Sequence, residues 1–298
     1  MTGPFPCPYC GGPSVLHVAA ADINRRVSER VYHLQRCQAC ALMFVRDPPP
    51  DLGPYYTGDY HVRPASAEEL APHLEGQRFK IEIVRRFKAG GRLLEIGPSI
   101  GIFCRLAQQA GFAVSAIEMD PDCVRFLTET LGVRAIQSAD AAAILAEAPE
   151  TYDAICLWHS IEHMAAPWTV LERAIARLNP GGMLVVAAPN PLSWQARLMK
   201  AAWPHYDLPR HLFELPPDWL ERFARERGLA PELITTRDPG SLYWNRFSWS
   251  MLLQSRLRLP GARRYLWHLG ALIGHLLSPL EGREGNGAAY TAVFRKPA

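Results

Sequence analysis

Between Arg92 and Ala187 the hydrophobic period switches repeatedly, and that alternation restricts the fold more than any other feature of the chain. Short apolar runs at 92–96, 113–118, 133–137, 152–158 and 183–187 read as strands. Helical spacing fills the gaps at 102–109, 121–131, 141–145 and 167–178. Strands separated by helices must return through crossovers, which requires a mainly parallel sheet with helices on both faces. Two later runs, 229–235 and 290–295, bring the strands to seven. The expected fold is therefore α/β, a doubly wound, seven-stranded, mainly parallel sheet.

The first strand ends in Leu93-Leu94-Glu95-Ile96-Gly97-Pro98-Ser99-Ile100-Gly101, which opens the first helix of the series. A helix N-terminus offers free N–H groups, and Gly97 and Gly101 let the backbone approach a ligand closely. Glu118 follows Gly97 by 21 residues and ends the second strand. There a carboxylate can accept both ribose hydroxyls of an adenosine. A dinucleotide turn favours three glycines, and Glu95 would repel a pyrophosphate. The same carboxylate suits a cationic amino-acid tail, so the chemistry favours a sulfonium nucleoside over NAD.

Three more motifs follow in order: Asp140 in Ser-Ala-Asp-Ala, Tyr-Asp-Ala-Ile at 152–155 and Leu-Asn-Pro-Gly-Gly at 178–182. Together with Glu-x-Gly-x-Ser-x-Gly and the Ile-Glu at 117–118, this ordered set resembles the class I S-adenosylmethionine-dependent methyltransferases. The resemblance covers roughly residues 79–237 plus the final strand. It implies that Glu95, Gly97 and Gly101 line the amino-acid end of the cofactor. Glu118 would take the ribose, Met119 would cover the adenine, and Asp140 would reach the adenine amino group. Ser99, standing where the family usually has its middle glycine, and Trp158, ending the fourth strand, join the expected cofactor contacts.

Beyond that strand runs Trp158-His159-Ser160-Ile161-Glu162-His163-Met164. The carboxyl end of a central strand faces the ligand crevice, and His159, Glu162 and His163 are spaced to share one helical turn. A histidine there can act as general base, the cluster can hold a divalent ion, or Glu162 and His163 can bond the backbone as the floor of the site. The letters H-x-x-E-H also spell an inverted zinc-protease motif, but here they begin at a strand end inside a methyltransferase order. The segment resembles the Glu-His element of the ubiquinone-biosynthesis O-methyltransferases, with His159 replacing an acidic residue. Similar enzymes carry an Arg-His segment after the fifth strand, near the substrate, and Arg210 and His211 occupy it here. Arg210 would clamp a carboxylate or phosphate, or else make a surface ion pair. His211 is a candidate for both acceptor binding and catalysis.

Cys7-x-x-Cys10 and Cys37-x-x-Cys40 form two knuckles separated by 26 residues. Two knuckles aim four thiolates at one tetrahedral ion, so residues 1–47 read as a ribbon around structural zinc. Cys104, Cys123 and Cys156 stand alone in apolar or helical contexts and read as buried thiols. The expected organisation is a zinc ribbon at 1–47, closed by Pro48-Pro49-Pro50, and a connector with leading helix at 48–78. The catalytic core follows at 79–237, then a helical insertion at 238–287 and the last core strand at 288–298. Tyr55, Tyr56 and Tyr60 mark the connector.

Residues 243–280 carry five arginines (Arg246, Arg256, Arg258, Arg263, Arg264) and six aromatics but no Asp or Glu. Arginine and tryptophan beside the apolar run 266–277 fit a peripheral membrane contact, a lid over a greasy acceptor, or a dimer contact. A net charge of +3 is too small for a non-specific polyanion binder, and 1–47 shows no basic stripe. With no signal-peptide pattern at the start and no long apolar run, a cytoplasmic address is expected, with the inner membrane face as a variant. The expected function is methyl transfer from S-adenosylmethionine to oxygen or carbon of a small-molecule, sugar or lipid-linked acceptor. Its rivals are an RNA methyltransferase docked by the ribbon and a non-catalytic cofactor-binding regulator. The oligomeric state stays open.

Overall fold

The computed structural model describes residues 5–56, 64–257 and 261–298, so Tyr60 and Arg258 lie outside the described residues. The amino-terminal part forms β1 (Ser14–Ala21), β2 (Val31–Cys37) and β3 (Met43–Arg46). After α1 (Ala71–Phe87) come β4 (Gly91–Ile96), α2 (Ile102–Gln109), β5 (Phe112–Glu118), α3 (Pro121–Arg125), β6 (Arg134–Gln137) and α4 (Ala141–Glu147). The second half holds β7 (Tyr152–Trp158), α5 (Pro167–Ala176), β8 (Leu178–Pro189), α6 (Trp194–Met199), β9 (Phe213–Glu214), α7 (Pro217–Glu226) and β10 (Ala230–Thr235). The chain closes with α8 (Pro239–Leu257), α9 (Arg263–Leu276), α10 (Ser278–Glu281) and β11 (Ala289–Arg295).

The main sheet has seven strands in the order β10-β11-β8-β7-β4-β5-β6, and β11 alone is reversed within it. The central strand β7 is covered on both faces, and Ala154, Ile155, Cys156 and Leu157 are all fully buried. An uninterrupted apolar strand is what a doubly covered parallel sheet demands. One face packs on α1 and α2 through Ile81, Val84, Phe103 and Leu106, the other on α5 and α7 through Val170, Leu171, Leu220 and Phe223. The Asn-Pro-Gly-Gly of the ordered motif set loops out as a bulge at the start of β8. Leu178 pairs with Tyr152 and Met183 with Ala154, leaving 179–182 between them.

The amino-terminal ribbon is stitched into the core. Its three strands form a four-stranded sheet completed by β9, with Met43 opposite Glu214 and Phe44 opposite Phe213. Tyr9, in the first knuckle, packs its ring 5.5 Å from Trp168 and 5.2 Å from Trp219. Cys7, Cys37, Leu42 and Phe44 belong to the same apolar cluster as β7 and α7. The prolines at 48–50 end the ribbon in sequence but not in packing.

Candidate active site

The chain leaves β4 outward to β5 and β6, then returns to β7 on the other side. This topological switch opens a crevice at the carboxyl ends of β4, β5 and β7. The turn after β4 needs unusual backbone at three places: Gly97 (φ 74°), Ser99 (φ 53°) and Gly101 (φ 75°). A Cβ on Gly97 would lie 2.6 Å from that of Ser160, and one on Gly101 would lie 2.5 Å from Leu127 Cδ2. Glycine is thus required at both positions by conformation and by space. Ser99 adopts the left-handed conformation without that freedom, and its N–H donates to Glu118 Oε2 at 2.8 Å. Glu118 Oε1 accepts the N–H groups of Met119 (2.7 Å) and Asp120 (3.0 Å). The carboxylate therefore ties the glycine turn to the end of β5, and its lone pairs outnumber these three bonds. Met119 is exposed at the rim, and Asp140 caps α4 by accepting from Ala143 N–H at 3.0 Å.

Glu95 points to the α1–α2 face, where the Cys104 thiol donates to it at 3.0 Å. Burial raises it to about 7. Its electrostatic partner is Lys80 of α1, which burial lowers to about 8. The Lys80 ammonium sits 5.1 Å from the centre of the Trp158 ring. Trp158 itself packs against Phe103 at 5.3 Å and belongs to the core on that face, so it walls the pocket from behind. The sequence reasoning missed Lys80. It falls in register with Ile83, Val84 and Phe87 on the inward stripe of α1, and a lysine on an apolar stripe is a legible signal.

On the other side of the crevice His159 is left-handed (φ 54°), and its N–H donates to Ala187 O at 2.9 Å. The indole N–H of Trp244, from α8, donates to His159 Nε2 at 3.2 Å. The opposite ring nitrogen, Nδ1, lies 3.7 Å from Glu162 Oε1. Burial alone would raise Glu162, but the histidines around it outweigh that and hold it at about 2. Both its oxygens are buried without a hydrogen-bond partner, as are both oxygens of Glu214. His163 Nδ1 lies 3.1 Å from Arg210 O, and His211 Nδ1 lies 2.9 Å from His205 O. A carbonyl only accepts, so His211 Nδ1 donates to His205 O, while His163 Nδ1 is anchored by both Arg210 O and the Tyr56 hydroxyl, 3.0 Å away. Ligand atoms of Glu162, His163 and His211 all lie within 4.8 Å of one another. Burial and the neighbouring His163 lower His211 to about 4.

Arg210, expected to clamp an acceptor, is engaged inside the protein. Its fully buried guanidinium bonds Asp22 Oδ1 at 2.8 Å and Asp207 Oδ1 at 2.6 Å. Asp22 lies in the ribbon, beyond the end of β1, so this arginine joins ribbon to crevice rather than protein to ligand.

Residues 69–233, over half of the chain, match the family described as a methyltransferase domain. The chain belongs to that family. It is 28% identical over 176 residues to a ubiquinone biosynthesis O-methyltransferase of Cereibacter sphaeroides, covering 56% of this chain and 69% of that protein. The like-named protein of Ruegeria pomeroyi is 28% identical over 177 residues, with the same coverage. A solved S-adenosylmethionine-dependent methyltransferase of Archaeoglobus fulgidus superposes with a TM-score of 0.53 at 18% identity, covering 75% of this chain and 94% of that one. The protein is an S-adenosylmethionine-dependent methyltransferase of the class I α/β fold.

The family match leaves outside it the ribbon and the α8–α9 hairpin, along with the connector, α10 and the last core strand β11. In the ribbon, the Cys7 and Cys40 sulfurs are 3.8 Å apart and those of Cys10 and Cys37 3.5 Å. All four lie within 4.8 Å of one another. A tetrahedron with zinc–sulfur bonds of 2.3 Å has edges of about 3.8 Å, so the donor set fits. Cys37 is lowered to about 7: burial opposes this, but the Cys40 and Ala39 N–H groups outweigh it.

Proposed function

We propose that this methyltransferase moves the methyl group of S-adenosylmethionine onto a hydroxyl oxygen of a small acceptor, with His159 as general base. One observation carries the reading. The Trp244 N–H marks a hydrogen-bonding direction at His159 Nε2, and Glu162 stands behind the other ring nitrogen. An acceptor O–H taking the place of the indole N–H would give its proton to Nε2 as its oxygen takes the methyl group. The buried carboxylate would stabilise the imidazolium formed. The names of the ubiquinone biosynthesis relatives support oxygen as the methylated atom. On the donor side, Lys80 would meet the carboxylate and Glu95 the ammonium of the amino-acid tail, opposite charges in a poorly solvated pocket. Glu118 would take the ribose and Asp140 the adenine edge.

The test is transfer of an isotopically labelled methyl group to a panel of phenols, sugars and quinols, with fragmentation of the product. An O-methyl ether from the native enzyme, lost in His159→Gln, is expected. A product methylated on carbon, or an undiminished His159→Gln enzyme, would overturn the reading.

The partnerless oxygens of Glu162, with ligand atoms of His163 and His211 within 4.8 Å, also support a divalent cation. Two imidazoles anchored through Nδ1 and one carboxylate are a donor set for such an ion. A cation there would orient acceptor oxygens and ease their deprotonation. The four cysteines are read as a structural zinc site. Elemental analysis should find zinc that a strong chelator removes with a loss of melting temperature, and zinc retained in Cys37→Ser would contradict this.

A further inference from the structure

In water a helix pair buries large apolar residues and exposes polar ones. The α8–α9 hairpin departs from this on its outer side, although Trp244, Trp249 and Leu252 of α8 pack on the core. α8 turns Ser241, Asn245, Ser248 and Ser250 inward, and α9 turns in Gly270 and Gly274 beside Leu266. A Cβ on Gly270 would fall 2.3 Å from Ser250 Cα, and one on Gly274 would fall 2.9 Å from Arg246 Cα. The helices therefore touch almost backbone to backbone through Gly-x-x-x-Gly. Outside, Tyr265 (76% exposed), Leu269 (46%), Leu272 (53%) and Leu276 (67%) form one stripe along α9, with Trp267 beside it. Small residues between helices and large apolar ones around them are the arrangement of helices solvated by lipid.

The charge on the hairpin indicates which apolar phase covers it. Arg246, Arg256, Arg263 and Arg264 are exposed, and residues 239–280 contain no Asp or Glu. Among the described residues no helix is long and apolar enough to cross a membrane. We infer that the outer face of α8–α9 docks on an anionic phospholipid surface, with the α9 stripe in the acyl boundary and the arginines at the headgroups. The inference does not depend on the acceptor, but Trp244 of the docked hairpin also bonds His159, so membrane contact and the acceptor side share one helix.

The test is co-sedimentation of the full chain with phosphatidylcholine vesicles, with and without phosphatidylglycerol, at low and high salt. Binding is expected only with the anionic lipid, weakening with salt and about fivefold for each of Arg256, Arg263 and Arg264 changed to Gln. Leu269→Glu with Leu272→Glu and Leu276→Glu, all on the exposed stripe, should abolish it while melting temperature and donor binding stay unchanged. Absence of native sedimentation, or equal sedimentation of the triple variant, would overturn the proposal. So would a solution dimer that the triple variant dissolves and that ignores vesicles.

Discussion

Apart from Lys80 and Trp158, every group assigned to the donor lies between Glu95 and Asp140, whereas the acceptor side gathers Tyr56, His159, Glu162, His163, His205, His211 and Trp244 from across the chain. The donor half is made by one turn and the neighbouring strand end, and its geometry is mainly backbone: three left-handed residues and a carboxylate bonded to N–H groups. The acceptor half is made by ionisable groups held out of water: Glu162 and Glu214 lack hydrogen bonds, burial and the neighbouring Glu162 and Asp207 push Glu214 well above the carboxylate range, and Arg210 is clasped by Asp22 and Asp207. A locally built half tolerates changes far away. A half assembled from distant buried charges depends on every segment that supplies one, the ribbon included.

The sharpest way to break that contrast is to damage one half and measure the other. His159→Gln should lower turnover by about 10²–10⁴-fold, the usual contribution of a general base. Donor affinity by calorimetry should be unchanged, because no bond from His159 reaches the glycine turn among the described residues. A parallel loss of donor binding would show that the halves are one unit.

Arg210→Met tests the long-range half through stability. It strands Asp22 and Asp207 in a buried place, and breaking such a pair costs about 3–5 kcal/mol. Melting temperature should fall, with donor binding retained on the folded fraction. Adding Asp22→Asn and Asp207→Asn should recover part of the loss. A variant that melts like the native enzyme would remove Arg210 as the link between ribbon and crevice.

The same division explains what could be read beforehand. The strand-helix alternation of the seven-stranded sheet, the glycine turn, Glu118 at its strand end and the cysteine knuckles were legible because each is a local pattern with a period or a spacing. Arg210 was read as a ligand clamp because its partner Asp22 is 188 residues away, and no local pattern discloses a pairing across that distance. Trp244 and Glu214 gave no signal for the same reason. Trp158, expected in the cofactor site from its position at a strand end, is turned by strand alternation to the α1–α2 face with Glu95 and Cys156, beside Lys80. Lys80 is the exception, a distant group that its place on the apolar stripe of α1 makes legible.

The smallest effect expected is the pH dependence of donor affinity, and it probes the donor half alone. Burial raises Glu95 from 4.5 to about 7, so between these values the folded state holds a proton that the unfolded chain has released. Stability without donor therefore declines as pH rises through that window. A donor ammonium needs the ionised carboxylate, so affinity should climb toward pH 7, at most tenfold per unit. The donor carboxylate needs protonated Lys80, lowered by burial to about 8, so affinity should decline above that value. Calorimetry with S-adenosylhomocysteine, which has the same amino-acid tail, should give a maximum between the two limbs. Glu95→Gln should erase the acid limb, and Lys80→Met should leave that limb intact and keep on the alkaline side only the titration of the ligand's own ammonium. A profile that is flat, or that loses both limbs with either variant, would mean that the tail is not held by this pair, and the donor half would then owe its grip to backbone alone.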